Sequence, residues 1–199
     1  MTVFPQTKKD RNHSQLRKWL KRFYQSRKNW KSLLELHVEE FRRQSSLSQY
    51  QEIRKLATKL KTWDTLRSDL LSSVPRDSND LIRIYLDEGD VDQAIVLWES
   101  RSGKRPALAV GWDRVDLEVA QAAEKSRPET ALKIYRDEVK RLISVRGRQS
   151  YQSACQFLKK IRPLLKTSGH DDWDDYISRL REENRSLRAL HEELKKARL

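Results

Sequence analysis

The stretch Tyr85-Leu-Asp-Glu-Gly-Asp-Val-Asp-Gln-Ala-Ile-Val-Leu-Trp98 contains two helical segments that are joined at a glycine. Four of its positions stand at offsets 0, 4, 9 and 13: Tyr85, Gly89, Ala94 and Trp98. The same offsets recur 37 residues later, at Ala122, Ser126, Ala131 and Tyr135. In such a hairpin a small residue lets the second helix approach the first, and an aromatic residue one turn later packs against the next hairpin. The stretch therefore predicts helical hairpins that bury their apolar faces by stacking.

The rest of the chain also has the composition of a helical protein. Only five Gly and five Pro occur among 199 residues, too few for the many tight turns of an all-β protein. The hairpin offsets resemble those of tetratricopeptide repeats (TPRs), although the spacing of 37 residues exceeds the roughly 34 of that family. We predict an all-α fold of antiparallel helical hairpins, stacked as a short TPR-like α-solenoid. A last helix is expected to run from Asp171 to the C-terminus, with leucines at heptad spacing.

Positive charge is concentrated at one end of the chain. The net charge is +13, and residues 1–31 hold ten Lys or Arg against one acidic residue, Asp10. The stretch Gln44-Ser-Ser-Leu-Ser48 then interrupts the helical pattern. We therefore predict a basic N-terminal helical segment at residues 1–45 and a helical-repeat domain at residues 46–199. The basic segment favours an acidic partner.

Aromatic residues are interleaved with the cations of this basic segment. The cations that we predict to contact nucleic acid or another acidic partner are Arg17, Lys18, Lys21, Arg22, Arg27, Lys28 and Lys31. Lys and Arg neutralise phosphates, and exposed aromatic rings stack on bases. The alternative is an amphipathic helix that buries Leu16, Leu20 and Phe23 and leaves its cations solvated, and this stripe favours that alternative. A third interpretation is that the basic segment binds an anionic membrane surface. Such binding would take several aromatic residues out of the core.

Several segments of the second half carry a resemblance to a known family. They are Leu86-Asp-Glu-Gly-Asp-Val-Asp-Gln-Ala94, Arg127-Pro-Glu-Thr-Ala-Leu-Lys-Ile-Tyr135, Tyr151-Gln-Ser-Ala154, Trp173-Asp-Asp-Tyr-Ile177 and the tail 180–194. Through them, residues 47–199 resemble the C-terminal helical region of bacterial SWIM-type zinc-finger proteins, which implies a helical scaffold. That family places CxC and CxH zinc ligands ahead of the helices. A single cysteine cannot supply them, so no zinc ligand carries over to this chain.

We place the packing seams of the hairpins at eight residues. They are Tyr85, Gly89, Ala94, Trp98, Ala122, Ala131, Tyr135 and Ala154. Cys155 lies beside Ala154 on an apolar helix face and is expected to be buried and inert. The alternative is a reactive thiol, because Lys159 and Lys160 are near it in the sequence.

No sequence motif points to catalysis or to a cofactor. The glycines form neither GxGxxG nor GxxxxGK[ST], and GxSxG, HExxH and Glu-x-x-His motifs are absent from the sequence. The stretch His170-Asp-Asp-Trp-Asp-Asp175 could hold a divalent cation, but acids also cap helix starts, and we favour the cap. We therefore expect no enzymatic activity, no cofactor and no metal.

The function expected from the sequence is a non-enzymatic helical-repeat scaffold that mediates protein–protein interaction. The alternative is an accessory nucleic-acid-binding protein that uses the basic N-terminal helices. A cytoplasmic location is expected, because the chain has one cysteine and its first residues lack an apolar leader. A membrane partner is not expected, since the longest apolar run, Ala94-Ile-Val-Leu-Trp98, is far shorter than the roughly twenty residues of a membrane span. The oligomeric state is left open.

Overall fold

The computed structural model of the chain describes residues 8–102, 114–168 and 172–199, with side chains for 15–101, 115–166 and 172–199. These residues form eleven α-helices, and no strand occurs among them. The helices are α1 (Lys8–Ser26), α2 (Trp30–Arg43), α3 (Leu47–Lys59), α4 (Trp63–Ser73), α5 (Asn79–Asp87), α6 (Val91–Ser102), α7 (Arg114–Ala123), α8 (Pro128–Val145), α9 (Arg148–Ser168), α10 (Trp173–Glu183) and α11 (Arg188–Lys196). The all-α prediction is confirmed for this part of the chain. No helix in it is both long enough and apolar enough to cross a bilayer.

The chain forms two compact units, Met1–Ile84 and Tyr85–Leu199. The boundary between them lies inside α5. The sequence predicts a boundary after residue 45 instead, between α2 and α3. These two helices pack against each other within the first unit. Contact density and independent folding are different properties, so the division at residue 45 stays a prediction.

The first unit is built from helices that pack on their neighbours in sequence. α1 packs on α2, α2 packs on α3 and α4, and α3 packs on α4. Phe41, Tyr50 and Ile53 are almost completely buried at the centre of this group. The ring of Tyr50 lies 6.0 Å from that of Phe41 and meets Trp63 edge-on at 5.4 Å. Contacts between such rings stabilise a core beyond the apolar area they bury.

The second unit follows the same rule of sequential packing, from α6 through α9. Its most extensive contact is between α8 and α9, which are joined by Arg146 and Gly147 alone. Both residues have positive φ, at 57° and 113°, and this left-handed backbone stops α8 and reverses the chain. The fully buried Ile134 and Leu158 lie on these two helices. α10 and α11 then pack on α9.

The prediction of one continuous C-terminal helix is wrong. α10 ends at Glu183 and α11 begins at Arg188. The side-chain amide of Asn184 donates a hydrogen bond of 2.8 Å to the carbonyl of Leu180, and the backbone N–H of Asn184 bonds to the carbonyl of Arg181. These bonds satisfy carbonyls that a continuing helix would have used, and they end α10 without Gly or Pro.

A buried polar contact joins α6 to α7 in the second unit. The indole Nε1–H of Trp98 donates a hydrogen bond of 2.6 Å to a carboxylate oxygen of Asp116, and both residues are buried. An indole N–H taken out of water must find an acceptor, and this bond supplies one while connecting α6 to α7 inside the second unit.

We expect Asp116→Ala to lower the free energy of unfolding by about 1–3 kcal/mol, since it leaves the indole N–H of Trp98 without this acceptor. Asp116→Asn should cost less, because its amide oxygen can accept the same bond. Urea denaturation of the three proteins, followed by circular dichroism, measures the difference. Equal losses for Ala and Asn would contradict a role for the acceptor.

Candidate nucleic-acid interface

One side of α1 holds the helix against α2. Leu20 and Tyr24, four residues apart, are half-buried on this side. Lys21 lies beside them and forms an ion pair with Glu40 of α2, and the side chains of both residues are mostly shielded from solvent. Of the seven cations predicted to contact an acidic partner, Lys21 therefore has a structural role in the first unit.

A second side of α1 exposes large apolar residues to solvent. Leu16, Trp19 and Phe23 expose 54%, 57% and 39% of their surface. The rings of Trp19 and Phe23 are stacked, with centroids 5.3 Å apart and planes 14° from parallel. The amphipathic-helix interpretation thus accounts for Leu20, but it is wrong for Leu16 and Phe23, because α2 covers only part of the apolar arc of α1.

Three cations lie close in the sequence to this exposed aromatic pair. The guanidinium carbon of Arg27 lies 5.7 Å from the ring centroid of Phe23. Lys18 and Arg22, four residues apart, are exposed on α1, and neither forms an ion pair with a described residue. We refer to Leu16, Lys18, Trp19, Arg22, Phe23 and Arg27 together as the α1 face. The sequence has no acidic residue between Asp10 and Glu35.

The turn after α1 presents further cations. Lys28 has a φ of 55°, in the left-handed region, and directs the chain from α1 into α2. The side chain of Asn29 accepts a hydrogen bond of 3.2 Å from the backbone N–H of Ser32 and caps α2. Lys28 and Lys31 are exposed, whereas Arg17 is half-buried. The turn therefore extends the positive charge of the α1 face beyond the end of the helix.

A half-buried histidine of α2 lies near the ion pair that joins α1 to α2. His37 of α2 is half-buried, and its Nδ1 has no hydrogen-bond partner among the described residues. Burial lowers the pKa of His37, and the positive charge of Lys21 lowers it further, while Glu40 and Glu52 oppose the change. The folded protein therefore favours the neutral imidazole.

The eight residues of the predicted packing seams lie in the second unit. Ala94, Ala131 and Ala154 are fully buried, and so, nearly, are the aromatic side chains of Trp98 and Tyr135. Gly89 has a φ of 79°, a conformation that favours glycine at a helix end. The two remaining residues, Tyr85 and Ala122, are half-buried.

Tyr135 takes part in a polar cluster that the sequence pattern does not reveal. Its hydroxyl donates a hydrogen bond of 2.6 Å to Glu124, and the ammonium of Lys160 donates one of 3.1 Å to the same carboxylate oxygen. Burial raises the pKa of Tyr135, and Glu124 raises it further. Burial alone would raise the pKa of Glu124. The hydrogen bonds from Tyr135 and Lys160 outweigh burial, so the pKa of this carboxyl is lowered. The cluster therefore links the segment directly after α7 to α8 and α9.

The acidic stretch before α10 begins the helix. Asp172 is the N-cap residue of α10, and its carboxylate accepts a bond of 3.3 Å from the backbone N–H of Asp174. The predicted cap is thus confirmed for Asp172, while His170 and Asp171 lie outside the described residues. Within the described ranges, no three His, Cys, Asp or Glu side chains are placed to hold a metal ion.

Cys155 is buried in α9, as the sequence predicts. Burial raises the pKa of its thiol and the charge of Glu193 adds to the rise, while Lys159 opposes it. A thiol with a raised pKa is a weak nucleophile at neutral pH.

Comparison with known proteins identifies a partial relative. The uncharacterized protein YwqB of Bacillus subtilis (strain 168) is 40% identical to this chain over 75 residues. The match covers 37% of this chain and 14% of the length of that protein. No family model matches the chain, and no solved structure matches it. The resemblance to SWIM-type proteins therefore stays a prediction.

We expect the free energy of unfolding to fall as the pH drops below about 6.5, the ordinary pKa of histidine. The unfolded chain takes up a proton on His37 there, whereas the folded chain, with its lowered pKa, takes it up only at lower pH. The loss is complete below the folded pKa. Urea denaturation from pH 5 to 8 measures it, with His37→Gln for comparison. Parallel pH profiles for the wild type and His37→Gln would contradict this assignment.

Proposed function

We propose that the chain is a non-enzymatic helical scaffold that binds single-stranded nucleic acid through the α1 face. The observation that carries the proposal is the exposed, stacked pair of Trp19 and Phe23 amid cations. Two large rings exposed side by side lose the hydrophobic stabilisation that burial would provide, so their position favours a surface that is covered in a complex. The cations supply the charge that such a complex with phosphates requires.

The chemistry of the α1 face matches a single strand better than a duplex. Rings such as those of Trp19 and Phe23 can stack on bases only when those bases are unpaired, and any base offers a suitable face. Lys18 and Arg22 lie one helical turn apart on α1, and each can neutralise a phosphate of a strand whose bases stack on the rings. In a duplex the bases are already stacked, so only the phosphate contacts would remain.

The proposed role of the other helices is to form a TPR-like solenoid that carries the α1 face. The sequential packing of α6 to α9 supports this arrangement, as do the buried alanines at the hairpin seams. A relationship to the helical region of SWIM-type proteins and a cytoplasmic location remain part of the proposal. Protein–protein interaction through the solenoid is the second candidate function, and it is favoured by the same stacked architecture.

The proposal is tested by fluorescence anisotropy with a labelled twelve-residue oligothymidylate. We expect Trp19→Ala to weaken binding roughly fivefold to a hundredfold, since base stacking on an aromatic ring contributes about 1–3 kcal/mol. Lys18→Gln combined with Arg22→Gln should reduce the slope of log affinity against log salt by about 1.4, because two phosphate contacts are lost. The exposure of all three residues means that folding should be unaffected.

A matched control is Lys61→Gln combined with Arg76→Gln, which removes the same charge from exposed positions elsewhere in the first unit. This control should leave the salt slope unchanged. A duplex of equal length should bind more weakly than the single strand and should not respond to Trp19→Ala. If the oligothymidylate does not bind at low salt, or the control and test variants behave alike, the proposal is wrong.

A further inference from the structure

A cleft in the second unit is lined by residues of α8 and α10. Its volume is about 540 Å³, which lies in the range of sites that bind several side chains or a small molecule. Residues from the second half of α8 line it together with residues of α10 and the link to α11. None of the residues discussed for the α1 face takes part.

The lining of the cleft carries more positive than negative side chains. Four cations line it, and they are Arg136, Lys140, Arg146 and Arg179. Glu183 is the single acidic residue of the lining. Among the described residues, the side chains of Lys140 and Arg146 form neither an ion pair nor a hydrogen bond, and both are exposed. Their charge is therefore available to a ligand.

The base of the cleft is apolar. Ile143, Leu180 and Leu187 contribute to its lining, and the first two are otherwise buried. The ring of Tyr176 lies 5.0 Å from the guanidinium carbon of Arg136, which covers its face. A ligand here would meet aliphatic side chains below and cations around the edge.

Helix ends account for part of this charge. Arg146 caps the C-terminus of α8, where a cation is favoured by the partial negative charge of the last carbonyls. Lys140 and Arg136 lie one or more turns before that end, and the same effect falls off within the last turn. The positive charge therefore exceeds what the helix end requires.

We infer that this cleft binds an acidic peptide segment of a partner protein, with an apolar side chain held between α8 and α10 and carboxylates at the cationic rim. Charge complementarity selects an acidic occupant, and the apolar base selects one that also carries a leucine or an aromatic residue. A nucleic-acid strand would satisfy the cations but would leave Leu180 and Leu187 facing a polar backbone. The inference goes beyond the nucleic-acid binding proposed for the α1 face and does not depend on it.

The test uses a fluorescein-labelled peptide, Asp-Glu-Leu-Phe-Glu-Asp, and the full chain, with binding followed by anisotropy at low salt. We expect Lys140→Glu combined with Arg146→Glu to weaken binding on the order of tenfold or more. A peptide with Ala in place of Leu and Phe should bind more weakly, because it leaves the apolar base uncovered. A peptide with Asn and Gln in place of the acids should also bind more weakly.

A closely matched control is Lys195→Glu combined with Arg198→Glu, at two exposed positions that do not line the cleft. Both double variants replace one Lys and one Arg by Glu, so they change the net charge equally. Each also includes one left-handed position, because Arg198 and Arg146 both have a φ of 57°. The control should bind the peptide like the wild type. No binding of the peptide, or equal weakening by the two double variants, would overturn the inference. It would also be overturned if the Lys140 and Arg146 variant lost oligothymidylate binding as strongly as peptide binding, since the cleft would then be a nucleic-acid surface.

Discussion

Each helix of this chain can bury its apolar face only against a neighbouring helix, and in most cases that neighbour is the next one in sequence. α2 and α8 each pack on at least two other helices. In the described part of the first unit, α1 has extensive contacts with α2 only. The apolar residues of α1 cover a wide arc, from Trp19 through Leu20 to Tyr24. One neighbour can cover only part of such an arc, so the side that carries Trp19 and Phe23 is left exposed.

This constraint explains why the same sequence pattern supports two interpretations of α1. Periodicity shows which residues share a helix face, but it does not show how far around the helix the neighbour reaches. The side of α1 that faces α2 carries Lys21, which forms an ion pair with Glu40, 19 positions further along the sequence. A pairing over such a distance cannot be recognised from the helical pattern, so the stripe of Leu16, Leu20 and Phe23 predicts burial for all three, whereas Leu16 and Phe23 are exposed.

Helix ends with a clear chemical cause could be predicted from the sequence. Gly89 and Pro128 are examples, since each has a backbone preference that fits one position of a helix end. The break at Asn184 was missed because it depends on a side-chain bond to Leu180 in place of a Gly or Pro. The cleft between α8 and α10 was also missed, because its cations are drawn from segments that are far apart in the sequence.

The helix ends of this chain also hold a reserve of thermodynamic stability that could be used in engineering. All four non-glycine residues with a left-handed backbone in the described part of the chain are Lys or Arg: Lys28, Lys61, Arg146 and Arg198. A residue with a Cβ in this conformation costs about 1–2 kcal/mol, which glycine avoids. Lys61 belongs neither to the α1 face nor to the cleft. Glycine at this position offers a route to a more heat-resistant protein with both proposed binding surfaces intact.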